Sequence, residues 1–573
     1  MTATADSFVT PARIERGSGG RLWRIREQPS LEAYAGASWP DLVSVLLWHR
    51  EARDLADGRD YLGEPHELTD PRLMPDLDVA VDRLARACRA HEIVAILGDY
   101  DVDGITSTTI LVEGLRDLGA RPLPYLPHRF TEGYGPNSNA VRALHGPGAP
   151  GHVTPDCGTS AVAEVALANE LGMDVLILDH HTVPEQLPEA LALVNPQLAH
   201  SEYGSEPAAC GVAYKVIHDL YDRLGVAYDP SEHRALVALG TICDLAPLVS
   251  ENRDLVRLGL TALARTRRPG LLALAAEARV NIEEADPDMC GWALGPRINA
   301  AGRMDHARHA LELLLTTSQE RAHDLAMHLE ELNRQRRDET QAAFARAAEV
   351  LRPEEREAAL VVVADEAISQ GIVGLVASRL ADQFHRPAIV MQLVDGEGRA
   401  SCRSIPEFDI TALLRRHPDL FKRFGGHRAA AGFTIDAARL PELRARLIED
   451  AARHLDVSTL APTIEVDAEL PLHTVNGDTL RWLGRLGPHG QGNSAPTFMS
   501  PGVEIRSSRA VGKDGSHLQF QLREGRVTWR AISFGNAEFA VADGERADIV
   551  YTFRRDNLRG TLQLEVLDLR PAS

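Results

Sequence analysis

The feature that most restricts this chain is an apolar run, Ile93–Leu97, that breaks directly into Gly98-Asp99-Tyr100-Asp101-Val102-Asp103-Gly104. Five apolar residues closed by glycine read as a buried strand, and the pattern over residues 105–118 reads as the helix that follows. Three carboxylates between a buried strand and a helix cannot enter a core uncompensated. They can sit at the carboxyl edge of a parallel sheet, where open α/β folds bind ligands. Two more strand-like runs end in the same way. Residues 152–154 lead into Asp156, and residues 175–178 lead into Asp179-His180-His181. Residues 122–126 read as another strand and 161–171 as a helix. The predicted fold class is therefore α/β, a parallel sheet with helices on both faces.

One acidic strand end is usually a helix cap. A calcium loop at Asp99–Asp103 fails because no Glu stands at the twelfth position. Three such ends in succession, with paired histidines and a further Asp244 in Gly240-Thr241-Ile242-Cys243-Asp244, point instead to one divalent-metal site. Carboxylates so close repel unless a cation lies between them. Oxygen and imidazole donors without thiolates favour Mn2+, with Mg2+ possible. The surplus of carboxylates suggests two ions, the arrangement that serves in-line attack at phosphorus.

The length of 573 residues suggests three or four domains. Residues 1–50 read as an arm, flexible to about residue 20, leading into a helical extension. Residues 51–317 carry the acidic motifs. Residues 318–351 are polar and free of breakers, so they read as a connector helix. A second, smaller α/β pattern fills 352–455, with strands at 359–363 and 388–392 and a helix at 374–383. Short alternating runs at 517–522, 528–534 and 561–567 predict a β-barrel over 456–573.

The net charge of −21 argues against a non-specific nucleic-acid coat. The charge is uneven, however: residues 501–573 carry 11 Arg/Lys against 10 Asp/Glu. Six scattered cysteines without a C-x-x-C pair read as reduced cytosolic thiols. No apolar run reaches the length of a membrane span, and the N-terminus has no apolar signal core. A cytoplasmic protein with no membrane partner is expected.

The motifs D-Y-D-V-D-G, D-C-G-T-S, D-H-H and G-T-I-C-D, in this order, resemble the four motifs of the DHH phosphoesterase superfamily. The chain most resembles the superfamily's single-strand-specific 5′→3′ exonucleases. The resemblance implies that Asp99, Asp101, Asp103, Asp156, His180 and Asp244 are metal ligands. It implies that His181 touches the scissile phosphate or protonates the leaving oxygen, and that Asp179 orients a histidine. Gly425-Gly426-His427-Arg428-Ala429-Ala430-Ala431-Gly432-Phe433 resembles the signature of the DHHA1 substrate-binding domain, so residues 352–455 are assigned to it. Gly426 and His427 are then expected to meet an anion, with Ser401, Arg403 and Ser404 on a phosphate-contacting strand. The loop His128–Gly135 and the turn Gly295–Met304 supply Arg129, Tyr134, Asn299 and Arg303 as further substrate contacts.

The barrel resembles an OB-fold entered through Pro488-His489-Gly490-Gln491-Gly492-Asn493-Ser494-Ala495-Pro496, with His489 where relatives carry Phe. Trp529, Arg530, Phe534, Phe553, Arg554 and Arg555 are available to a single strand. Ile368-Ser369 replaces a Trp-His pair found in many relatives. The activity implied is two-metal hydrolysis of single-stranded DNA from the 5′ end, releasing 5′-mononucleotides in recombination and repair. A helicase and single-strand-binding protein would supply the substrate. The alternative is a DHH/DHHA1 phosphodiesterase acting on short oligoribonucleotides or cyclic dinucleotides. A non-catalytic scaffold is disfavoured, because such relatives lose the metal ligands that are all present here.

Overall fold

The computed structural model describes residues 13–65, 68–133, 135–145, 151–512, 515–537, 539, 542–556 and 561–572. The chain divides into two compact units: residues 65–458 with 490–492 form one, and residues 1–64, 459–489 and 493–573 the other.

The first unit opens on a parallel sheet. Its elements are β1 (Ile93–Leu97), α1 (Val102–Asp117), β2 (Arg121–Tyr125), β3 (Gly151–Pro155), β4 (Asp174–Leu178) and β5 (Ala192–Val194). The strand order is β2-β1-β3-β4-β5, all parallel. β1, β5 and all but the first residue of β4 are continuous apolar runs, because both faces of these strands are covered. Val94, Ile96, Leu176 and Leu178 face one buried cluster, while Ala95, Leu97, Val175 and Ile177 face two others on the opposite side. The helices α2 (Ala209–Leu224), α3 (Ser231–Cys243), α4 (Gly295–Met304) and α5 (Arg308–Leu315) complete this lobe.

The predicted connector is α6 (Gln319–Val350), capped by the Ser318 hydroxyl, which accepts from Arg321 N. Its first half buries Ala322, Leu325, Ala326, Leu329 and Leu332 in the core of the parallel-sheet lobe. Its last turns bury Ala343 and Ala347 in the core of the next lobe. One helix thereby belongs to two cores. The second lobe contains β6 (Val361–Asp365), α7 (Val373–Phe384), β7 (Ala388–Val394), β8 (Glu397–Arg403), β9 (Arg423–His427) and β10 (Ala430–Asp436). Its sheet runs β9-β10-β8-β7-β6, with only the β6–β7 pair parallel. Ile368 is buried in this lobe's core, which accounts for an apolar residue at that departure from the family pattern.

The second unit is built on a barrel. Strands Phe498–Val511, His517–Glu524, Val527–Ser533, Thr561–Pro571 and Arg546–Asp556 pair in that order, and the first also pairs with the last, closing it. The N-terminal segment packs Tyr34, Trp39, Val43, Leu46 and Leu47 into the same core as Phe498, Phe520 and Tyr551. The expectation of a flexible arm to residue 20 fails from Arg13 onward. Arg13–Arg16 and Leu22–Ile25 form a hairpin, and the second strand also pairs in parallel with Thr463–Val466. The cause is Trp23, fully buried, whose indole N–H donates to the buried Asp568 at 2.9 Å. Among the described residues no helix is long and apolar enough to cross a membrane.

Candidate metal centre and anion cleft

Adjacency of β1, β3 and β4 brings the three acidic strand ends side by side. Asp99, Asp101 and Asp103 follow β1, Asp156 follows β3, and Asp179-His180-His181 follow β4. Asp244 closes the cluster from the C-terminal end of α3. Ligand atoms of Asp99, Asp101 and Asp156 lie within 4.8 Å of one another, and the same holds for Asp103, His180 and Asp244, and for Asp156, His180 and His181. Asp156 and His180 each belong to two of these groups, and of the two only Asp156, with two carboxylate oxygens, could be shared by two ions. Asp156 is held at φ +62°, a left-handed conformation that costs a non-glycine residue on the order of 1 kcal/mol or more and collects at functional sites.

The donor set fits divalent cations. Nε2 of His180 lies 3.3 Å from Asp156 Oδ1 and 3.8 Å from both Asp103 Oδ2 and Asp244 Oδ2, yet it makes no hydrogen bond among the described residues. Asp99 Oδ1 is likewise buried without a hydrogen-bond donor among them. Burial first, then repulsion between neighbours, drives the carboxyl pKa values up: Asp99 and Asp156 well above the carboxylate range, Asp103 raised, and Asp244 to about 8. Burial lowers His180, keeping its imidazole neutral and available as a donor. Cations among these groups remove the repulsion that otherwise favours protonation.

Local structure aims each candidate ligand. Asp103 accepts from Ala209 N at 2.7 Å and Cys210 N at 2.9 Å, the first turn of α2, whose dipole favours a negative charge. Asp101 caps α1 by accepting from Gly104 N at 3.0 Å, and its remaining lone pairs stay available. Gly104 is dictated by Asp99, since a Cβ there would stand 2.7 Å from the aspartate's backbone. Asp179 belongs to none of the metal-competent groups among the described residues. It accepts from Thr159 N at 2.9 Å, His180 N at 2.8 Å and His181 Nδ1 at 2.7 Å. Burial opposes the His181 imidazolium, but the Asp179 hydrogen bond and charge outweigh it and lift the pKa to about 9. Sequence reading missed the next layer. Buried Asn195 donates to His181 O at 2.9 Å and to Thr159 Oγ1 at 3.1 Å, and Gln197 donates to His180 O at 2.7 Å. Both follow β5, so their place beyond another strand end of the same sheet was the signal that could have found them.

Beside this centre, within the same unit, lies a cleft of ≈ 540 Å³ lined by Tyr100, Arg129, Arg303, Arg399, Arg403 and Arg423 among others, with no carboxylate side chain among the described residues of its wall. Tyr100 stands between two of the metal-site aspartates, and the Arg129 guanidinium lies 4.6 Å from its ring centroid. Desolvation and the neighbouring guanidinium groups of Arg129, Arg336 and Arg403 lower the Arg303 pKa to about 9. Such uncompensated positive charge is what a phosphate chain relieves. Arg303 Nη1 also donates to Gly371 O at 3.4 Å, across the two lobes of the unit.

Of the sequence-predicted substrate residues, Arg129, Arg303, Ser401 and Arg403 line this cleft. Arg399 and Arg423 join them and were missed. Strand alternation carries the signal, because Arg399, Ser401 and Arg403 occupy every second position of β8 and so share a face. Ser404 breaks that period, and its hydroxyl donates to Phe408 O at 2.8 Å instead of facing the cleft. Asn299 stands four residues before Arg303 on α4, half-buried on the same helical face. Gly425 lines the cleft. Gly426, at φ +141°, is required by packing, because a Cβ would come within 2.4 Å of Ala431 Cα on β10. His427 is exposed, and its carbonyl accepts from the Thr411 hydroxyl at 2.6 Å. Tyr134 lies outside the described residues.

On the barrel, Trp529 and Phe553 pack edge to face at 5.8 Å against the core. Phe534 is 40% exposed, with Arg554 over its ring at 5.1 Å and His517 edge-on at 5.3 Å. A polar groove on the barrel is lined by Ser507, Arg509, Gln519, Gln521 and Arg530. The side chain of Arg555 lies outside the described residues.

This fold and site define the two-lobed DHH/DHHA1 class of metal-dependent phosphoesterases. Residues 93–241 match the DHH family N-terminal domain, 357–453 the DHHA1 domain and 466–568 the RecJ OB domain. The single-stranded-DNA-specific exonuclease RecJ of Haemophilus influenzae is 34% identical over 87% of this chain and 91% of that protein. The RecJ of Bacillus subtilis is 36% identical over 89% of this chain, which spans 65% of that protein's length. The crystal structure of Thermus thermophilus RecJ in complex with Mn2+ is similar at a TM-score of 0.83 and 31% identity, over 96% of this chain and 80% of that one. A second structure of that protein, in complex with Mg2+, matches at a TM-score of 0.78 and 29% identity, over 96% and 78% of the two chains. The chain belongs to the RecJ family.

Proposed function

We propose that this protein is a single-stranded-DNA-specific exonuclease that hydrolyses phosphodiester bonds with two divalent cations, Mn2+ or Mg2+. The observation that carries the reading is Tyr100, which sits between metal-site Asp99 and Asp101 while lining the arginine cleft. A nucleic-acid backbone held by guanidinium groups in that cleft would have a phosphate at the carboxylate cluster. When bound, the cations supply positive charge for the attacking and leaving oxygens of an in-line displacement. Asp99, Asp101, Asp103, Asp156, His180 and Asp244 hold them. His181, fixed by its hydrogen bond with Asp179, touches the scissile phosphate and donates a proton towards the leaving oxygen. Arg129, Arg303, Arg399 and Arg403 bind the backbone, and Ser401 adds a hydroxyl donor.

The reading extends to 5′→3′ polarity and 5′-mononucleotide products, with the barrel holding the strand through Phe534, Arg530 and Arg509. The matched OB domain favours long strands over the alternative of short oligoribonucleotides or cyclic dinucleotides. Work in the cytoplasm on strands exposed by a helicase and covered by single-strand-binding protein, in recombination and repair, follows from the same reading. The test is degradation of single- and double-stranded DNA labelled at either end, with Mn2+, Mg2+ or chelator. Loss of 5′ label as mononucleotide from single strands only, abolished by chelator and by Asp101→Ala, is expected. Preferential degradation of duplex, or release beginning at the 3′ end, would refute it.

A further inference from the structure

A second cluster of metal-competent side chains lies apart from the acidic strand ends. Asp305 closes the C-terminal end of α4, His309 lies on α5, and His328 lies on the connector α6. Their ligand atoms all fall within 4.8 Å of one another. Nε2 of His309 is 3.2 Å from Asp305 Oδ2, and Nε2 of His328 is 3.5 Å from the same oxygen. The two imidazoles stand nearly perpendicular, with ring centroids 4.9 Å apart.

We propose that Asp305, His309 and His328 form a separate binding site for one borderline divalent cation of the zinc class. The distances carry the assignment. Ligand bonds of about 2.0–2.1 Å in a tetrahedral site place neighbouring donor atoms roughly 3.3 Å apart. The observed 3.2 and 3.5 Å bracket that edge. Two imidazoles with one carboxylate suit zinc better than Mg2+ or Ca2+, which prefer all-oxygen shells. The side chains of His309, His328 and Asp305 are 20%, 41% and 44% exposed, enough for an ion to enter from solvent and keep a water as its fourth ligand.

The ion would tie three helices of the unit at one point. Asp305 lies two residues beyond Arg303, so the site fixes the end of the helix that carries a cleft arginine to the connector shared by both lobes. It acts as a structural staple there, independent of the catalytic cluster and of the function proposed above.

The test is Zn2+ stoichiometry of the full-length chain, wild type against His309→Ala and His328→Ala, after removal of free metal. Wild type should retain one more equivalent than either variant, and Zn2+ should raise the melting temperature of wild type more than that of the variants. Crystals of the wild type soaked in Zn2+ should give an anomalous peak at the zinc edge between the three side chains. Equal stoichiometry in folded variants overturns the proposal by showing an ion pair only. Should the variants fail to fold, absence of that peak in wild-type crystals overturns it.

Discussion

Gly240 lies directly against Asp103: a Cβ on the glycine would stand 2.9 Å from Asp103 Oδ1 and 2.5 Å from both Cys210 Sγ and Thr106 Oγ1. A helix residue one turn before Asp244 is thus shaped by a carboxylate that follows a distant strand. Gly240→Ala should displace Asp103, lowering Mn2+ affinity and activity by about tenfold or more. Overpacking at this buried point should also cost roughly 1–3 kcal/mol of stability. Isothermal titration with Mn2+ and a melting curve read both effects.

Asp179 belongs to none of the metal-competent groups among the described residues, yet it gathers backbone and ring N–H groups of the His180-His181 turn. Asp179→Asn keeps the shape but replaces one acceptor oxygen by a donor facing those N–H groups. Turnover should fall by on the order of 10²-fold or more, with Mn2+ stoichiometry retained. Single-turnover rates at saturating DNA, alongside Mn2+ binding, separate this outcome from general loss of the site.

Arg399 and Arg423 line the cleft although neither belongs to a recognisable motif. Each change to Ala should raise KM for single-stranded DNA with kcat little altered. It should also flatten the dependence of log affinity on log salt by about 0.7 for each phosphate no longer neutralised. Filter binding of a catalytically silent background, such as Asp101→Ala, over a salt series gives the slope. An unchanged slope would place the strand elsewhere.

Glu113 on α1 accepts from Arg268 at 2.7 and 2.8 Å and pairs with His233 at 3.2 Å. Burial opposes its charge, but these partners outweigh it and hold the pKa at about 2. A carboxyl depressed in the folded state contributes stability that is full above its unfolded value near 4.5 and fades as pH falls towards about 2. Glu113→Gln should therefore lower stability by on the order of 3 kcal/mol at pH 7. The gap from wild type should narrow as pH falls from about 5 to about 2, as read from melting temperatures.

Much of the parallel-sheet lobe was legible in the sequence because its signals are local. Ile93–Leu97 is a strand to the residue, and the predicted connector differs from α6 by a single residue at each end. The convergence of Asp99, Asp156 and His180 followed once successive acidic strand ends were assumed adjacent, and β1, β3 and β4 are adjacent. What escaped reading depends on long-range packing. Asp103 is held by backbone N–H groups of Ala209 and Cys210, which no side-chain pattern announces. Ser404 belongs to the right motif, but strand alternation ends before it. The N-terminal hairpin looked like an arm because Trp23 finds its partner, Asp568, at the other end of the chain.

The most direct test of the metal centre is anomalous diffraction at the manganese edge from crystals soaked in Mn2+. Two peaks are expected among Asp99, Asp101, Asp103, Asp156, His180 and Asp244, with Asp156 bordering both. A map without density there, in crystals whose protein still binds Mn2+, would contradict the assignment of this cluster.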